Sequence, residues 1–223
     1  MDGQDLAQRL ATVKAQLPPG TALVAVSKKR TVAEIKALYD LGHRDFGENY
    51  PQELRDKQPL LPADIRWHFI GHLQRNKVKY VVPHAHVVHG ADSASILEEL
   101  DKRAAAAGRT LDVLLQVHIA REETKHGFLA EELAELLAAP FVEQYQALRF
   151  RGLMGMASNT PDRGLVLSEF QGLAELYRRT KAAGLRGLEH FNLLSMGMSG
   201  DFDLALAAGS NMLRIGTAIF GER

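Results

Sequence analysis

The stretch Met212-Leu-Arg-Ile-Gly-Thr-Ala-Ile-Phe-Gly221 decides the fold. Met212 to Ile215 is apolar apart from Arg214 and reads as a buried strand, after which Gly216 and Thr217 supply a tight turn and a hydroxyl where a short helix begins. A strand end running into a helix N-terminus presents free backbone N–H groups, and these suit a phosphate. Upstream, Leu194-Ser-Met-Gly-Met-Ser-Gly-Asp201 is a second element of the same kind, leading into a helical stretch over Phe202 to Ala208. Phosphate sites in eight-stranded α/β barrels sit on the loops after strands 7 and 8. The pattern therefore predicts that the remaining chain counts out to eight strands.

It does. Thr21–Ser27 is a β-branched apolar run after Pro-Pro-Gly and reads as strand 1. Thr31–Leu41 has helical spacing, with Thr31 as N-cap, Glu34 at capping-box distance and Gly42 as the stop. Arg44–Gly47 is strand 2, followed by Glu48-Asn49-Tyr50 and a helix from Pro51; Ile65–Ile70 is strand 3, ended by Gly71. Ala85–His89 is strand 4 with a helix over Ser93–Ala107, and Leu111–Ile119 is strand 5 with a helix over Leu129–Leu137. Arg149–Gly155 is strand 6 with a helix over Gly164–Ala183; Leu188–Leu194 is strand 7 and Met212–Ile215 strand 8. Strands alternating with helices imply parallel βαβ units. With one extra helix ahead of them (Asp5–Leu17), the expectation is an α/β protein: a single (β/α)8 TIM barrel occupying residues 1–223 as one domain.

Composition narrows the partners. The 27 basic and 27 acidic side chains cancel, which argues against a polyanion such as nucleic acid. The absence of cysteine excludes a disulfide framework, thiolate metal sites and cysteine nucleophiles. No apolar run is long enough for a membrane span, and Met-Asp-Gly-Gln-Asp lacks the basic start and apolar stretch of a signal peptide, so a cytoplasmic protein is expected.

In a barrel the functional face is the C-terminal end of the strands. Lys28 follows strand 1 directly, so its stem is held by the barrel mouth. Partial desolvation there drives a lysine toward its neutral, nucleophilic form, as Schiff-base chemistry requires. The plainer alternative is a solvated end cap. Likewise the Gly/Ser turns serve either as plain helix caps or as phosphate cradles. Arg214 lies between apolar residues, and a charge there needs a partner. If the barrel closes, strand 1 meets strand 8 and Lys28 comes near Arg214 and both turns. A lysine, an arginine and a phosphate cradle in one mouth form the constellation expected for pyridoxal 5′-phosphate, PLP. His68 reads as a hydrogen-bonded core histidine. His84 and His86 would share one face of strand 4 with His89 on the other, and no third ligand stands at metal spacing. Met154 and Met156 read most simply as core, although Met156, at the end of strand 6, is also a candidate for lining the cofactor.

These motifs resemble the YggS/PROSC family of pyridoxal phosphate homeostasis proteins, whose barrel is similar to the N-terminal domain of bacterial alanine racemase. The resemblance runs nearly end to end, through Val24-Ala-Val-Ser-Lys28, Phe46-Gly-Glu-Asn-Tyr50, Trp67-His-Phe-Ile-Gly-His-Leu-Gln74, Asn76-Lys77, Arg151-Gly-Leu-Met154, Leu194-Ser-Met-Gly-Met-Ser199 and Arg214-Ile-Gly-Thr-Ala-Ile-Phe-Gly221. It implies a Schiff base between Lys28 and the PLP aldehyde. It also implies a phosphate held by Ser199, Gly216 and Thr217 with Ser195 and Met196 nearby, Arg214 at the pyridine nitrogen, and Asn49 beside the ring. Two departures from the family pattern stand out: Lys29-Arg30 replaces a common Thr-Lys, and His118 replaces a usual asparagine. Arg30 cannot form a Schiff base.

An arginine at the pyridine nitrogen leaves that nitrogen neutral and weakens carbanion stabilisation. Alanine racemase draws a second base from an extra domain of a partner subunit, and this chain is expected to lack that domain. The resemblance therefore implies a PLP carrier without turnover, acting in vitamin B6 homeostasis, which passes PLP transiently to apo-enzymes. A small PLP-dependent amino-acid racemase, with Tyr50 or water as second base, is the alternative. A monomer is expected.

Overall fold

The computed structural model describes residues 3–122, 126–138 and 144–222. Eight parallel strands close on themselves in chain order: β1 (Ala22–Val26), β2 (Asp45–Glu48), β3 (Arg66–Phe69), β4 (Val87–Ala91), β5 (Leu111–Gln116), β6 (Leu148–Met154), β7 (Leu193–Ser195) and β8 (Met212–Ile215). Closure rests on β1 pairing β8 from Ala22↔Met212 to Ala25↔Ile215. The helices are α1 (Gly3–Ala15), α2 (Val32–Asp40), α3 (Pro51–Lys57), α4 (Val78–Val81), α5 (Ala94–Ala106), α6 (Ala130–Ala138), α7 (Arg163–Ala182), α8 (Phe202–Ala208) and α9 (Thr217–Phe220). The first precedes the barrel, as the sequence predicts.

Local chemistry explains the boundaries. Thr31 caps α2 with its hydroxyl accepting from the Glu34 N–H while the Glu34 carboxylate returns to the Thr31 N–H, a complete capping box. Between barrel and helices lies the larger core, built on residues such as Phe46, Trp67, Phe69, Leu97, Phe150, Phe170 and Phe220. Val24, Val87, Leu114, Met154 and Met212 form a second, separate cluster, with Met156 packed against it. These five come from β1, β4, β5, β6 and β8, and only the barrel interior lets side chains from such strands meet. Gly152 in β6 has φ +153°, and a Cβ there would stand 1.7 Å from the Leu193 carbonyl oxygen. Glycine is thus what lets β7 approach β6.

Three strand assignments from sequence are corrected. Leu188–Leu194 is not all strand: Leu188 N–H bonds to Leu185 O and Phe191 N–H to Leu188 O, so Leu188–Phe191 is a turn with those two side chains buried and Glu189 and His190 exposed, and ladder bonding begins at Asn192, whose N–H meets Arg151 O. The fourth strand begins later than Ala85. His84 N–H and Ala85 N–H both bond back to Val81 O, so they finish the turn after α4, and His84 has no place in strand alternation. Strand 5 also stops at Gln116, with Val117 making a single bridge to Phe128.

Candidate cofactor site

Lys28 occupies the first position of a turn that leaves β1 and is closed by Arg30 N–H donating to Ser27 O at 3.0 Å. Lys28 is half-buried. Lys29 has φ +59°, an unusual value for a residue with a side chain. Three groups hold this geometry. Glu53 accepts from the Lys29 N–H at 2.7 Å; the Lys57 ammonium donates to Ser27 O at 2.9 Å; and Ser27 Oγ donates to Glu48 Oε1 at 2.7 Å. Lys57 also bonds Glu48 Oε1 at 2.8 Å and Glu53 Oε2 at 2.6 Å. Glu48 is fully buried, and burial raises its carboxyl to about 7 even though Lys57 and Ser27 pull it down.

Arg30 is spent on structure. Its guanidinium donates to the Gly221 carbonyl oxygen, pairs with Glu34 at 3.2 Å, and lies over the Phe220 ring at 5.4 Å from the centroid. It fastens the loop after β1 to the end of α9 across the closing seam.

The two Gly/Ser turns that the sequence offers for a phosphate lie on the other side of that seam. Gly216 is the N-cap of α9, and a Cβ on it would touch Val26 of β1 at 3.4 Å. The N–H groups of Gly216 and Ala218 both aim at Ser199 Oγ, at 3.3 and 3.4 Å. These are long bonds to a neutral oxygen, and an anionic oxygen is a stronger acceptor for the same amides. Thr217 lies exposed between them. Asn49, just past β2, carries a buried Oδ1 with no hydrogen-bond partner, an open acceptor at the C-terminal end of that strand. Both observations fit the phosphate and the polar ring substituents of PLP.

Arg214 is only 3% exposed. Its Nη1 donates to Ser195 Oγ at 2.7 Å and its Nη2 to Gly155 O at 3.0 Å. Burial lowers its pKa to about 10, so it stays charged at neutral pH, and no carboxylate among the described residues makes a salt bridge to it. Met156 is half-buried against the interior cluster. Met196 is fully buried in the outer core, so only its backbone is available at the mouth. Tyr50 is exposed at the rim, as the N-cap of α3.

Lys28, Asn49, Ser195, Ser199, Arg214, Gly216 and Thr217 therefore all cluster at the C-terminal ends of β1, β2, β7 and β8. Sequence reasoning passed over the Glu48–Glu53–Lys57 cluster. Its one visible signal was the Glu53/Lys57 spacing of four on α3. It also could not place His118, whose ring donates to Ala120 O at 2.8 Å and whose N–H meets Phe128 O at 3.0 Å, tying the loop after β5. A further cluster, His72, Asp92 and His126, has donor atoms within 4.8 Å of one another. The two imidazoles are stacked, centroids 3.6 Å apart at 13°, with His72 Nδ1 bonded to Asp92 at 2.9 Å. Ligating nitrogens must point in-plane at one ion, and parallel planes do not converge.

Fold and site together define a (β/α)8 barrel with a lysine at its mouth and the Gly216 and Ala218 amides of α9 turned toward Ser199 Oγ. The chain belongs to the alanine racemase N-terminal domain family, which matches it over residues 1–223. Among curated relatives, the pyridoxal phosphate homeostasis protein of Synechocystis sp. is 39% identical over 94% of this chain and 94% of its own length. That of Escherichia coli K12 is also 39% identical, over 98% and 97%. Among solved structures, PipY of Synechococcus elongatus PCC7942 with PLP bound superposes with a TM-score of 0.87 at 36% identity, covering 97% of this chain and 100% of that one. No helix among the described residues is long and apolar enough to cross a membrane.

Proposed function

We propose that residues 1–223 form a single PLP-binding domain that holds the cofactor covalently on Lys28 and serves intracellular PLP homeostasis without catalytic turnover. The observation carrying this reading is the convergence, across the β1–β8 seam, of the Lys28 turn with the Gly216/Ala218 amides and the buried Arg214. The names of the relatives and the PLP-bound neighbour support it.

PLP supplies an aldehyde that exchanges reversibly between amines. The protein's residues do the remaining work. Lys28 offers the amine, fixed by a turn that Glu53 and Lys57 brace. Ser199 Oγ, the Gly216 and Ala218 amides and the Thr217 hydroxyl take the phosphate at the N-terminus of α9, where backbone dipoles favour negative charge. Arg214 would face the pyridine nitrogen. A guanidinium only donates, so it hydrogen-bonds that nitrogen without protonating it, and the ring remains a weak electron sink. Asn49 meets the ring's polar edge through its open Oδ1, with Ser195, Met196 and Met156 bordering the mouth. Such a site retains the cofactor and does little to activate a substrate carbanion. We place the protein in the cytoplasm as a monomer that passes PLP to apo-enzymes.

The family's link to alanine racemase supports a second reading, a weak PLP-dependent racemase using Lys28 as one base. One experiment separates them: the absorption spectrum with PLP, borohydride reduction with mass spectrometry of the trapped peptide, and an amino-acid racemisation assay on the same sample. An adduct on Lys28 without turnover supports the carrier. Robust turnover supports the racemase, and no adduct refutes both.

A further inference from the structure

We infer that Arg214 is positioned from the far end of the barrel by a one-directional hydrogen-bond chain running through Ser195, His89 and His68 to Asp45, which makes both histidines positioning residues for the guanidinium. The inference rests on the reading above, in which PLP occupies the mouth with its ring nitrogen at Arg214.

The chain is continuous. Arg214 Nη1 lies 2.7 Å from Ser195 Oγ, which lies 3.0 Å from His89 Nδ1. His89 Nε2 is 2.9 Å from His68 Nδ1, and His68 Nε2 is 3.1 Å from Asp45 Oδ1. His89 is on β4 and Ser195 on β7, so their contact crosses the barrel interior instead of following the sheet. Asp45 opens β2 at the barrel's N-terminal end, whereas Ser195 closes β7 at the C-terminal end. His68, His89, Ser195 and Arg214 are each at most 3% exposed, so water does not substitute for a missing link.

Donor and acceptor inventories fix the direction. Arginine has donors only, and a carboxylate has acceptors only. With Arg214 donating to Ser195 Oγ, the serine's own proton goes to His89 Nδ1. His89 then carries its proton on Nε2 and gives it to His68 Nδ1. His68 in turn carries its proton on Nε2 and gives it to Asp45. Every link holds one proton, and both rings are neutral. The opposite polarity would require His68 to be an imidazolium, His89 to be protonated on Nδ1, and the Ser195 proton to find another acceptor. That last requirement decides against it, because Ser195 is fully buried and, among the described residues, its hydroxyl proton has no acceptor other than His89 Nδ1. Asp45 is anchored as the acceptor by Arg66, whose Nε donates to it at 2.7 Å.

The consequence lies at the mouth. Ser195 can accept from Arg214 because His89 takes the hydroxyl proton. Without His89 the hydroxyl turns freely, and one of the two bonds that aim the guanidinium loses its direction.

The first test needs no cofactor. Long-range proton–nitrogen spectra of the ligand-free, nitrogen-15-labelled protein at neutral pH should show His68 and His89 both protonated on Nε2 with bare Nδ1. An imidazolium at His68, or a proton on Nδ1 of His89, overturns the chain. The second test loads PLP onto His89→Leu and His89→Gln. Glutamine can donate to His68 and accept from Ser195, whereas leucine can do neither. His89→Leu should shift the absorption of bound PLP and weaken its retention about tenfold, equivalent to about 1.4 kcal/mol. His89→Gln should restore both. A folded leucine variant with wild-type spectrum and retention, or a folded glutamine variant that fails to restore them, overturns the inference. If His89→Leu does not fold, Asp45→Asn replaces it; unchanged His68 resonances and an unchanged PLP spectrum in that variant likewise overturn the inference. Wild-type protein that takes up no PLP refutes the cofactor reading instead, and the imidazole spectra still judge the chain.

Discussion

Replacing Lys57 by methionine should cost about 3–5 kcal/mol, the usual penalty for breaking a buried ion pair by removing one partner. Lys57 is 9% exposed and bonds Ser27 O, Glu48 and Glu53; Glu48, at 0%, is left with only the Ser27 hydroxyl. Glu53 is partly exposed and can turn to solvent, so nearly all the loss falls on Glu48. At a urea slope of about 2–3 kcal/mol per molar, the midpoint should fall by about 1–2.5 M. The penalty also depends on pH. Burial raises the Glu48 carboxyl from 4.5 to about 7 in the folded protein, so its unfavourable contribution is absent below pH 4.5 and grows as pH rises through 7. Without Lys57 the carboxyl rises further, and Lys57→Met should be more destabilising at pH 8 than at pH 5.5. Glu48→Gln/Lys57→Met removes the stranded charge and should recover most of the stability. A single variant costing under about 1 kcal/mol, or a double variant as unstable as the summed singles, would refute the account of this cluster.

Three further outcomes are expected. Lys28→Ala should abolish the borohydride-trapped PLP adduct with an unchanged urea midpoint; an adduct that survives reassigns the lysine. Thr217→Val should weaken PLP retention by about 1–3 kcal/mol, since the phosphate loses a hydroxyl donor; equal retention in equilibrium dialysis would leave the holding to the Gly216 and Ala218 amides. His43 is buried, and burial lowers its pKa from 6.5 to about 4. The stability this gives is complete above pH 6.5 and is lost as pH falls toward 4, up to about 3 kcal/mol. His43→Gln should flatten that acid limb in urea titrations, and an identical limb would exclude His43 as its source.

Local signals made much of the fold readable. A β-branched run names β1, the Thr31/Glu34 pair names the start of α2, and the glycine after Ile215 names the end of β8. Closure followed from counting, and closure alone brings Lys28 beside Gly216. The misreading of strand 7 has one cause: burial without strand geometry. Leu188 and Phe191 are buried in a turn, and hydrophobicity cannot distinguish a buried turn from a strand without its ladder bonds. Lys57 was missed because a lysine on a short helix normally reads as solvated, and only the folded chain turns it inward toward Ser27 and Glu48. The relay from Arg214 to Asp45 was equally hidden. Its members come from β2, β3, β4, β7 and β8, and no spacing along the chain relates His89 to Ser195.

The same seam completes both the fold and the site. Lys28 stands after the first strand and Gly216 after the last, so neither half of the mouth exists until β1 pairs β8. Arg30 acts at this junction. It occupies the position where the family often has a lysine, yet its bonds to Gly221, Glu34 and the Phe220 ring tie the loop after β1 to the end of α9. A lysine there would be a second amine within reach of a PLP aldehyde, whereas a guanidinium forms no such bond at physiological pH. The chain has exchanged a possible relay amine for a clamp. If Lys28 holds PLP as proposed, Arg30 offers no second covalent stop beside it, and the clamp at Gly221 together with the Glu48–Lys57 brace holds the turn that carries Lys28.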